Sequence, residues 1–83
     1  AAHRQFFMIV DGTRCIIDYR LQGECMSITH TVVPDAVGGR GIAGTLTQAA
    51  LEHARTSGWK VVPVCAYAAA YFKRHPQYAD LLL

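Results

Sequence analysis

The sequence feature that limits the fold of this chain most is a glycine-rich turn between an apolar run and a helical pattern. Residues 32–46 read VVPDAVGGRGIAGTL, with four glycines in seven positions and Arg40 among them. Because glycine has no side chain, several backbone N–H groups stay uncovered, and a helix that follows adds unpaired N–H groups and a positive dipole end. The turn predicts a phosphate or pyrophosphate site, although a plain flexible loop explains the pattern equally well.

Standard phosphate-binding motifs do not account for this turn. The P-loop pattern Gly-x-x-x-x-Gly-Lys-Ser/Thr is absent from the sequence. Gly39, Gly41 and Gly44 fit the spacing Gly-x-Gly-x-x-Gly, but no acidic residue ends a following strand about twenty positions later. A dinucleotide-binding fold also needs a longer chain than this one.

Length, charge and cysteine content narrow the class of protein. The 83 residues suit one small domain over residues 1–83, and an apolar share of 52% allows a hydrophobic core. A net charge of +2 with scattered basic residues favours no nucleic-acid partner. No run is apolar enough to predict a membrane span or a secretory leader. Three cysteines cannot all pair internally and no His or Cys pair has zinc spacing, so we expect a reducing, cytoplasmic setting and no metal.

Residue periodicity predicts an α+β fold with the element order β-β-β-α-β-α. Residues 4–10, 13–21 and 24–33 have strand composition and are separated by the turn dipeptides Asp11-Gly12 and Gln22-Gly23, which indicates an antiparallel meander. After the glycine turn, apolar residues recur at helical spacing as far as Gly58, a suitable C-terminal cap.

The rest of the chain predicts a strand over 59–64, a helix over 65–75 that ends before Pro76, and a tail that packs as a turn or short helix. A strand, a helix and a strand in succession indicate a parallel crossover and therefore a mixed sheet. Pro63 has no N–H to donate, so the two parallel strands should separate near it. The alternative is that Pro63 merely lies at the sheet edge.

Five segments, in order along nearly the whole chain, carry a resemblance to a known family: His30-Thr31-x-Val33-Pro34, Gly39-Arg40-Gly41-Ile42-Ala43, Val62-Pro63-x-Cys65, Tyr71, and His75-Pro76-x-Tyr78. Together they resemble the GNAT superfamily of acyl-CoA-dependent N-acetyltransferases, and more narrowly its small single-domain YjdJ-type branch. The resemblance implies a GNAT-like sheet whose splayed parallel strands hold the pantetheine arm of coenzyme A, while the glycine turn binds the pyrophosphate. It implies acetyl-CoA or coenzyme A as co-substrate, an amine acceptor, and cofactor-binding residues Val33, Gly39, Arg40, Gly41, Ile42, Ala43, Gly44, Thr45 and Tyr71.

The chain departs from the superfamily pattern at several positions. Gly38 stands where Gln or Arg is expected, and Arg40 lies two positions later. Val32 and Val33 follow His-Thr where branch members commonly carry an acidic residue, and Cys65 replaces the usual asparagine. The usual tyrosine aligns near Phe72, beside Tyr71, and the two helices that build the acceptor pocket in larger members are missing.

Cys65 and His30 are the candidate catalytic residues. Cys65 follows the last strand, where a thiol could attack the thioester and carry the acetyl group; a small buried apolar residue is the alternative. His30, on the neighbouring strand, could orient or deprotonate Cys65 or accept a proton from an amine, and a structural histidine is about as good an interpretation. Its face depends on strand register, which a one-residue shift reverses.

Three other side chains are weaker candidates for a role in catalysis or coenzyme A binding. Tyr71 could hydrogen-bond the departing thiolate or be a half-buried aromatic. Lys73 and Arg74 could meet the 3′-phosphate of coenzyme A or be solvated charges. The sequence therefore predicts an acetyl-CoA-dependent N-acetyltransferase-like protein, with two alternatives: a CoA-binding module without efficient catalysis, and an interaction domain whose glycine turn binds nothing. Neither the amine acceptor nor the oligomeric state is indicated.

Overall fold

A four-stranded sheet in the order β1-β2-β3-β4 organises the computed structural model, which describes residues 2–39 and 41–83. The first three strands pair antiparallel, and β3 pairs parallel with β4. This confirms the α+β class, the mixed sheet and the predicted element order. The strands are β1 Ala2–Val10, β2 Thr13–Gln22, β3 Cys25–Val32 and β4 Lys60–Pro63; the helices are α1 Ile42–Ser57 and α2 Ala66–Arg74, with 3₁₀ turns at Asp35–Val37 and Pro76–Leu81.

Turn chemistry explains the meander. Asp11 and Gly12 both take positive φ, 49° and 75°, which is the backbone of a hairpin turn whose twist matches that of the flanking strands. The register places Phe7 opposite Ile16. Strand β1 starts at Ala2, two residues earlier than predicted, because its pairing with β2 continues to Leu21.

A β-bulge interrupts the pairing of β2 with β3, which the sequence did not predict. Asp18 lies opposite His30 and Tyr19 lies opposite Ile28, so Thr29 is the extra residue. Its Oγ1 donates a hydrogen bond of 3.2 Å to the Asp18 carbonyl oxygen. A bulge shifts the alternation of side chains between the two faces of a strand. The residues after Thr29 consequently face the opposite way from an uninterrupted strand.

The hydrophobic core lies on one face of the sheet, beneath α1 and α2. Apolar side chains alternate toward this face along the strands, as expected for a half-buried sheet. The buried residues are Cys15, Ile17, Tyr19, Met26, Ile28, Val37, Ile42, Leu46, Ala50, Leu51, Ala54, Val61, Ala68, Tyr71, Phe72, Tyr78 and Leu81. No helix in the described ranges covers the other face, and Phe7, Ile9 and Val32 are each about half exposed there.

The end of α1 and the C-terminal tail are fixed by specific contacts. Gly58 takes φ 77° and donates to the carbonyl oxygens of Ala54 and Arg55, which is the predicted helix cap. The tail returns to the sheet, where Leu82 forms a bridge with Val61 on the free side of β4. None of the helices in the described ranges has the length and apolar character needed to cross a membrane.

Candidate functional site

The pairing between the parallel strands β3 and β4 ends at Pro63. The last residue pair is Ile28 with Pro63, and the N–H groups of Val64 and Cys65 then both donate to the Ile28 carbonyl oxygen, each at 3.0 Å. Strand β3 continues four residues further, to Val32, without a β4 partner. The strand separation that Pro63 predicted is therefore present, and α2 begins directly beside it.

The glycine turn leads into α1 with its backbone uncovered. Gly39 and Gly41 take φ of 80° and 71°, a left-handed conformation that is strained for residues with a side chain. A Cβ at either position would meet no described atom within 4 Å, so the space beside them is open. Arg40, predicted to bind the cofactor, lies outside the described residues.

The first turn of α1 supplies hydrogen-bond donors. Gly41 is the N-cap and has no side chain to cap the helix, and the first helical hydrogen bond runs from Thr45 N to the Gly41 carbonyl oxygen at 3.0 Å. The N–H groups of Ile42, Ala43 and Gly44 consequently have no acceptor within the helix. These donors and the helix dipole make this end of α1 suited to an anion.

A cleft of about 460 Å³ lies between one face of α1 and one face of α2. The lining residues recur at helical spacing on both helices: Gly41, Gly44, Thr45 and Gln48 from α1 and its cap, and Tyr67, Ala70, Tyr71, Arg74 and His75 from α2 and its cap. A Cβ at Gly44 would lie 3.7 Å from Tyr67 Oη, so a larger side chain would enter the cleft. Glycine at this position keeps the cleft open.

Three other predicted cofactor-binding residues, Val33, Ile42 and Thr45, have side chains that contact the protein itself. The Ile42 side chain is buried in the hydrophobic core, and the partly buried Val33 packs against that core. Thr45 Oγ1 donates to the Gly41 carbonyl oxygen at 3.1 Å, which keeps its side chain on the helix. Only main-chain atoms of Ile42 are therefore available to a ligand.

Tyr71 is a buried wall of the cleft. Its ring stacks on His75 with centroids 3.9 Å apart, and His75 Nδ1 donates to the Tyr71 carbonyl oxygen at 2.9 Å. Burial raises the pKa of Tyr71 above 10.0, and the neighbouring Tyr67 and Glu52 raise it further. The hydroxyl therefore stays protonated near neutral pH and has no hydrogen-bond partner among the described residues.

Cys65 is the N-cap of α2, so the helix begins one residue later than the predicted start at residue 65. Its Sγ accepts a hydrogen bond from Ala68 N at 3.4 Å and lies 3.6 Å from Thr31 Oγ1. The side chain is half-buried at the edge of the core and is a free thiol, as are those of Cys15 and Cys25. Cys65 thus lies at the strand separation, with a hydroxyl beside it.

His30 lies on the opposite face of the sheet from Cys65. Its side chain is 69% exposed, 3.9 Å from the Asp18 carboxylate, and its Nδ1 is 3.2 Å from Thr29 Oγ1. The bulge at Thr29 explains this orientation, because it brings Thr31 rather than His30 to the helix-covered face. The predicted pairing of His30 with Cys65 is therefore not formed in this structure.

Comparison with known proteins decides the family. The family model described as GCN5-related N-acetyl-transferase matches residues 5–81. The chain belongs to this family. The mouse and human proteins named NATD1 are each 37% identical to this GCN5-related domain over 95% of its length, which is 76% and 74% of theirs. A GCN5-like protein from Staphylococcus aureus, whose structure was solved in solution by NMR, is 29% identical to this chain and superposes on it with a TM-score of 0.79. The match covers all of this chain and 84% of the Staphylococcus aureus chain.

Three side chains of this GCN5-related domain were missed as cleft or site residues by sequence reasoning. Thr31 beside Cys65 depends on the bulge, for which the sequence has no signal such as a mid-strand glycine. Tyr67 and Gln48 line the cleft because α2 lies along α1, a long-range contact. Helical spacing from Tyr71 back to Tyr67 was the only available indication.

The cleft of this GCN5-related domain has a simple charge distribution. Among its described lining residues Arg74 is the one permanently charged side chain, and none is a carboxylate. Lys73, considered together with Arg74 from sequence, is exposed and does not line the cleft. Within residues 2–39 and 41–83, no three His, Cys, Asp or Glu side chains are close enough to hold a metal ion. The cleft is suited to an anionic ligand.

Proposed function

We propose that this GCN5-related domain binds acetyl-CoA and transfers its acetyl group to an amine. One observation carries the proposal: the parallel strands separate at Pro63 beside a cleft whose near end is the uncapped N-terminus of α1. An extended amide-bearing arm can bind the side of β3 that β4 leaves without a partner, while its phosphates lie on helix N–H groups. The three free thiols suit a reducing compartment, so we place the reaction in the cytoplasm.

The pyrophosphate would lie on the backbone of the glycine turn. Gly39 and Gly41 leave open space, and the N–H groups of Ile42, Ala43 and Gly44 point out of the helix end. Arg40 would add charge there. The main chain near Val33, at the end of β3, would hold the thioester carbonyl and the oxyanion that forms from it.

Cys65 would act as a nucleophile in a two-step transfer. Its thiol loses a proton to solvent, and Sγ attacks the thioester carbonyl carbon; the bond from that carbon to the coenzyme A sulfur breaks. The amine then attacks acetyl-Cys65, the new amide forms, the amine loses a proton to solvent and the thiolate is released. Thr31 Oγ1, 3.6 Å away, would orient Sγ during both steps.

Tyr71 would protonate the departing coenzyme A thiolate. The hydroxyl group lies in the wall of the cleft and remains protonated near neutrality, because burial raises the pKa of Tyr71. A raised pKa also makes the hydroxyl a weaker acid, so the support for this role is the position of the hydroxyl in the cleft wall rather than the pKa shift. Tyr71 would then recover a proton from water.

The alternative proposal is a CoA-binding module without efficient catalysis. Val32 and Val33 offer no carboxylate at the end of β3, and His30 lies on the far face of the sheet from Cys65. A direct transfer would need an amine that approaches His30 from that uncovered face. These observations favour tight binding with slow turnover as the second candidate function.

Calorimetric titration with coenzyme A and acetyl-CoA tests the binding proposal. Gly44→Trp fills the cleft without introducing positive φ, since Gly44 is helical, and Ala49→Trp is the matched control on an exposed position of α1 outside the cleft. We expect saturable binding by the wild type and by the control, and loss of binding in Gly44→Trp. No binding by the folded wild type would overturn the proposal and support an interaction domain.

Mass spectrometry after incubation with acetyl-CoA tests the covalent route. We expect one acetyl adduct on Cys65 that disappears when an amine is added, and no adduct in Cys65→Ser. Cys25→Ser is the control, because Cys25 is also half-buried and free. Full acetyl transfer by Cys65→Ser would contradict the covalent route. Tight acetyl-CoA binding by the wild type with negligible turnover across a panel of amines would support the alternative function.

A further inference from the structure

The cleft between α1 and α2 continues well past the helix end that would hold a pyrophosphate. Its lining starts at Gly41 and Gly44 and extends along α2 from Tyr67 to Arg74. Tyr67 lies against Gly44, because its Oη would be 3.7 Å from a Cβ there. Seven residues at 1.5 Å per residue place Arg74 about 10 Å further along the helix axis. The cleft therefore has room for a second anionic group beyond the first.

Arg74 is positioned to meet such a group. It is the one permanently charged residue in the described lining, and that described lining includes no Asp or Glu to neutralise it. The guanidinium makes no ion pair or hydrogen bond with any residue in the described ranges. Its neighbour Lys73 has the same charge but is not part of the lining. The charge facing the cleft is thus specific to one position on α2.

We propose that Arg74 binds the 3′-phosphate of coenzyme A and makes this chain selective for CoA thioesters over 3′-dephospho-CoA thioesters. The inference rests on the proposed function, which places the pyrophosphate at the start of α1. The 3′-phosphate is carried by the ribose beyond the pyrophosphate, and Arg74 belongs to the same cleft lining as Gly41 and Gly44 at the start of α1. A guanidinium can donate two parallel hydrogen bonds to one phosphate, which an ammonium group cannot do.

A different explanation of Arg74 is that it only stabilises the C-terminal end of α2, where cations interact favourably with the helix dipole. Lys73 occupies the same last turn and would share that role. Comparison of the two positions therefore separates a ligand contact from a helix contact.

The test is calorimetric titration of coenzyme A and 3′-dephospho-CoA into the wild type, Arg74→Gln and Lys73→Gln. We expect the wild type to bind coenzyme A about three- to tenfold more tightly than dephospho-CoA, a preference typical of a partly exposed ion pair. Arg74→Gln should weaken coenzyme A binding by that factor, leave dephospho-CoA binding unchanged and remove the preference. Lys73→Gln should keep it, and Arg74→Lys should restore part of it.

The possible outcomes separate this inference from the proposed function. The 3′-phosphate contact is wrong if Arg74→Gln binds both ligands more weakly by the same factor, or if this variant still prefers coenzyme A over dephospho-CoA. The proposal that the protein binds coenzyme A is unaffected by either result. Equal binding of both ligands by the wild type has the same meaning. If the folded wild type binds neither ligand, the proposed function fails and this inference fails with it. Raised salt should reduce the preference of the wild type for coenzyme A and leave Arg74→Gln without one.

Discussion

Thr31 Oγ1 lies 3.6 Å from Cys65 Sγ, across the junction between the start of α2 and the end of β3, which has no β4 partner there. The two residues are 34 positions apart in sequence, and only the bulge at Thr29 turns the Thr31 side chain toward the helices. The same sulfur accepts a hydrogen bond from Ala68 N. Two contacts therefore fix the direction of the thiol that we propose as the nucleophile.

Replacement of Thr31 by valine should slow reactions of Cys65 without altering the fold. Valine has nearly the same shape but lacks the hydroxyl, and one hydrogen bond contributes about 1 kcal/mol, so we expect roughly fivefold slower alkylation by iodoacetamide. Thr31→Ser should retain most of the wild-type rate. An unchanged alkylation rate in Thr31→Val, at unchanged thermal stability, would show that the hydroxyl does not position Sγ.

Cys65 also caps α2, which separates its structural role from its chemical role. Serine is a good N-cap residue, so Cys65→Ser should unfold in urea at nearly the wild-type midpoint. Cys65→Val removes the acceptor for Ala68 N and should lose about 1 kcal/mol of the free energy of unfolding. A large loss of stability in Cys65→Ser would contradict this account and would make activity data on that variant uninterpretable.

Tyr71→Phe should reduce acetyl transfer and leave acetyl-CoA affinity intact. The ring would still stack on His75, while the proton donor for the thiolate would be lost. We expect a decrease in kcat of about 10²-fold, the lower end for removal of a general acid, with little change in KM. Tyr67→Phe is the matched control in the same cleft. Equal kcat values in the two variants would contradict the role of Tyr71.

Alkaline unfolding should report the contact between Tyr78 and Glu52. The Tyr78 hydroxyl donates to Glu52 Oε2 at 2.5 Å, and this hydrogen bond, followed by burial, raises the pKa of Tyr78 to about 12. Because the folded-state pKa is above the unfolded value of 10.0, the stabilisation is complete below pH 10 and is lost as the pH rises toward 12.

The measurement is urea unfolding from about pH 8 to about pH 11, a range that includes the pH at which an exposed tyrosine titrates. Tyr78→Phe should be less stable than the wild type at the low end and should lose less stability as the pH rises. Tyr67→Phe, at an exposed position, should follow the wild-type curve. Parallel curves for the wild type and Tyr78→Phe would contradict the assigned hydrogen bond.

Acid unfolding should report the attachment of the tail to α1. Arg55 donates to both carboxylate oxygens of Asp80, at 2.8 and 3.2 Å, and these hydrogen bonds lower the pKa of Asp80 below 3.8. A lowered carboxyl pKa contributes stability above the unfolded value, which is lost as the pH falls through the folded value. Asp80→Asn should therefore flatten the loss of stability below pH 3.8, whereas Glu24→Gln, an exposed control, should not.

Local signals in the sequence predicted much of this fold. The Asp11-Gly12 turn, the Gly58 cap and the break in pairing at Pro63 each follow from backbone restrictions of one or two residues. The family was also recognisable, since its characteristic segments follow one another in order. The predicted strands and helices differ from the observed ones by a few residues at their ends, where packing decides the last hydrogen bonds.

The placement of side chains at the site was not predictable in the same way. The face that His30 presents depends on a bulge at Thr29, and the bulge depends on how two whole strands pair rather than on Thr29 itself. The position of the Tyr67 hydroxyl, 3.7 Å from where a Cβ on Gly44 would lie, depends on how α2 lies along α1. These are long-range relationships, for which an isolated sequence contains no local pattern.

The two edges of the sheet differ, and this limits how molecules can associate through backbone pairing. The tail occupies the free side of β4, where Leu82 bridges Val61 and Leu83 N donates to the Val61 carbonyl oxygen at 3.2 Å. Strand β1 has no partner on its outer side within the described part of the chain. Growth into a fibre requires two open edges on each molecule, whereas one open edge can serve a single pairing event. Edge-to-edge addition would thus stop at a pair.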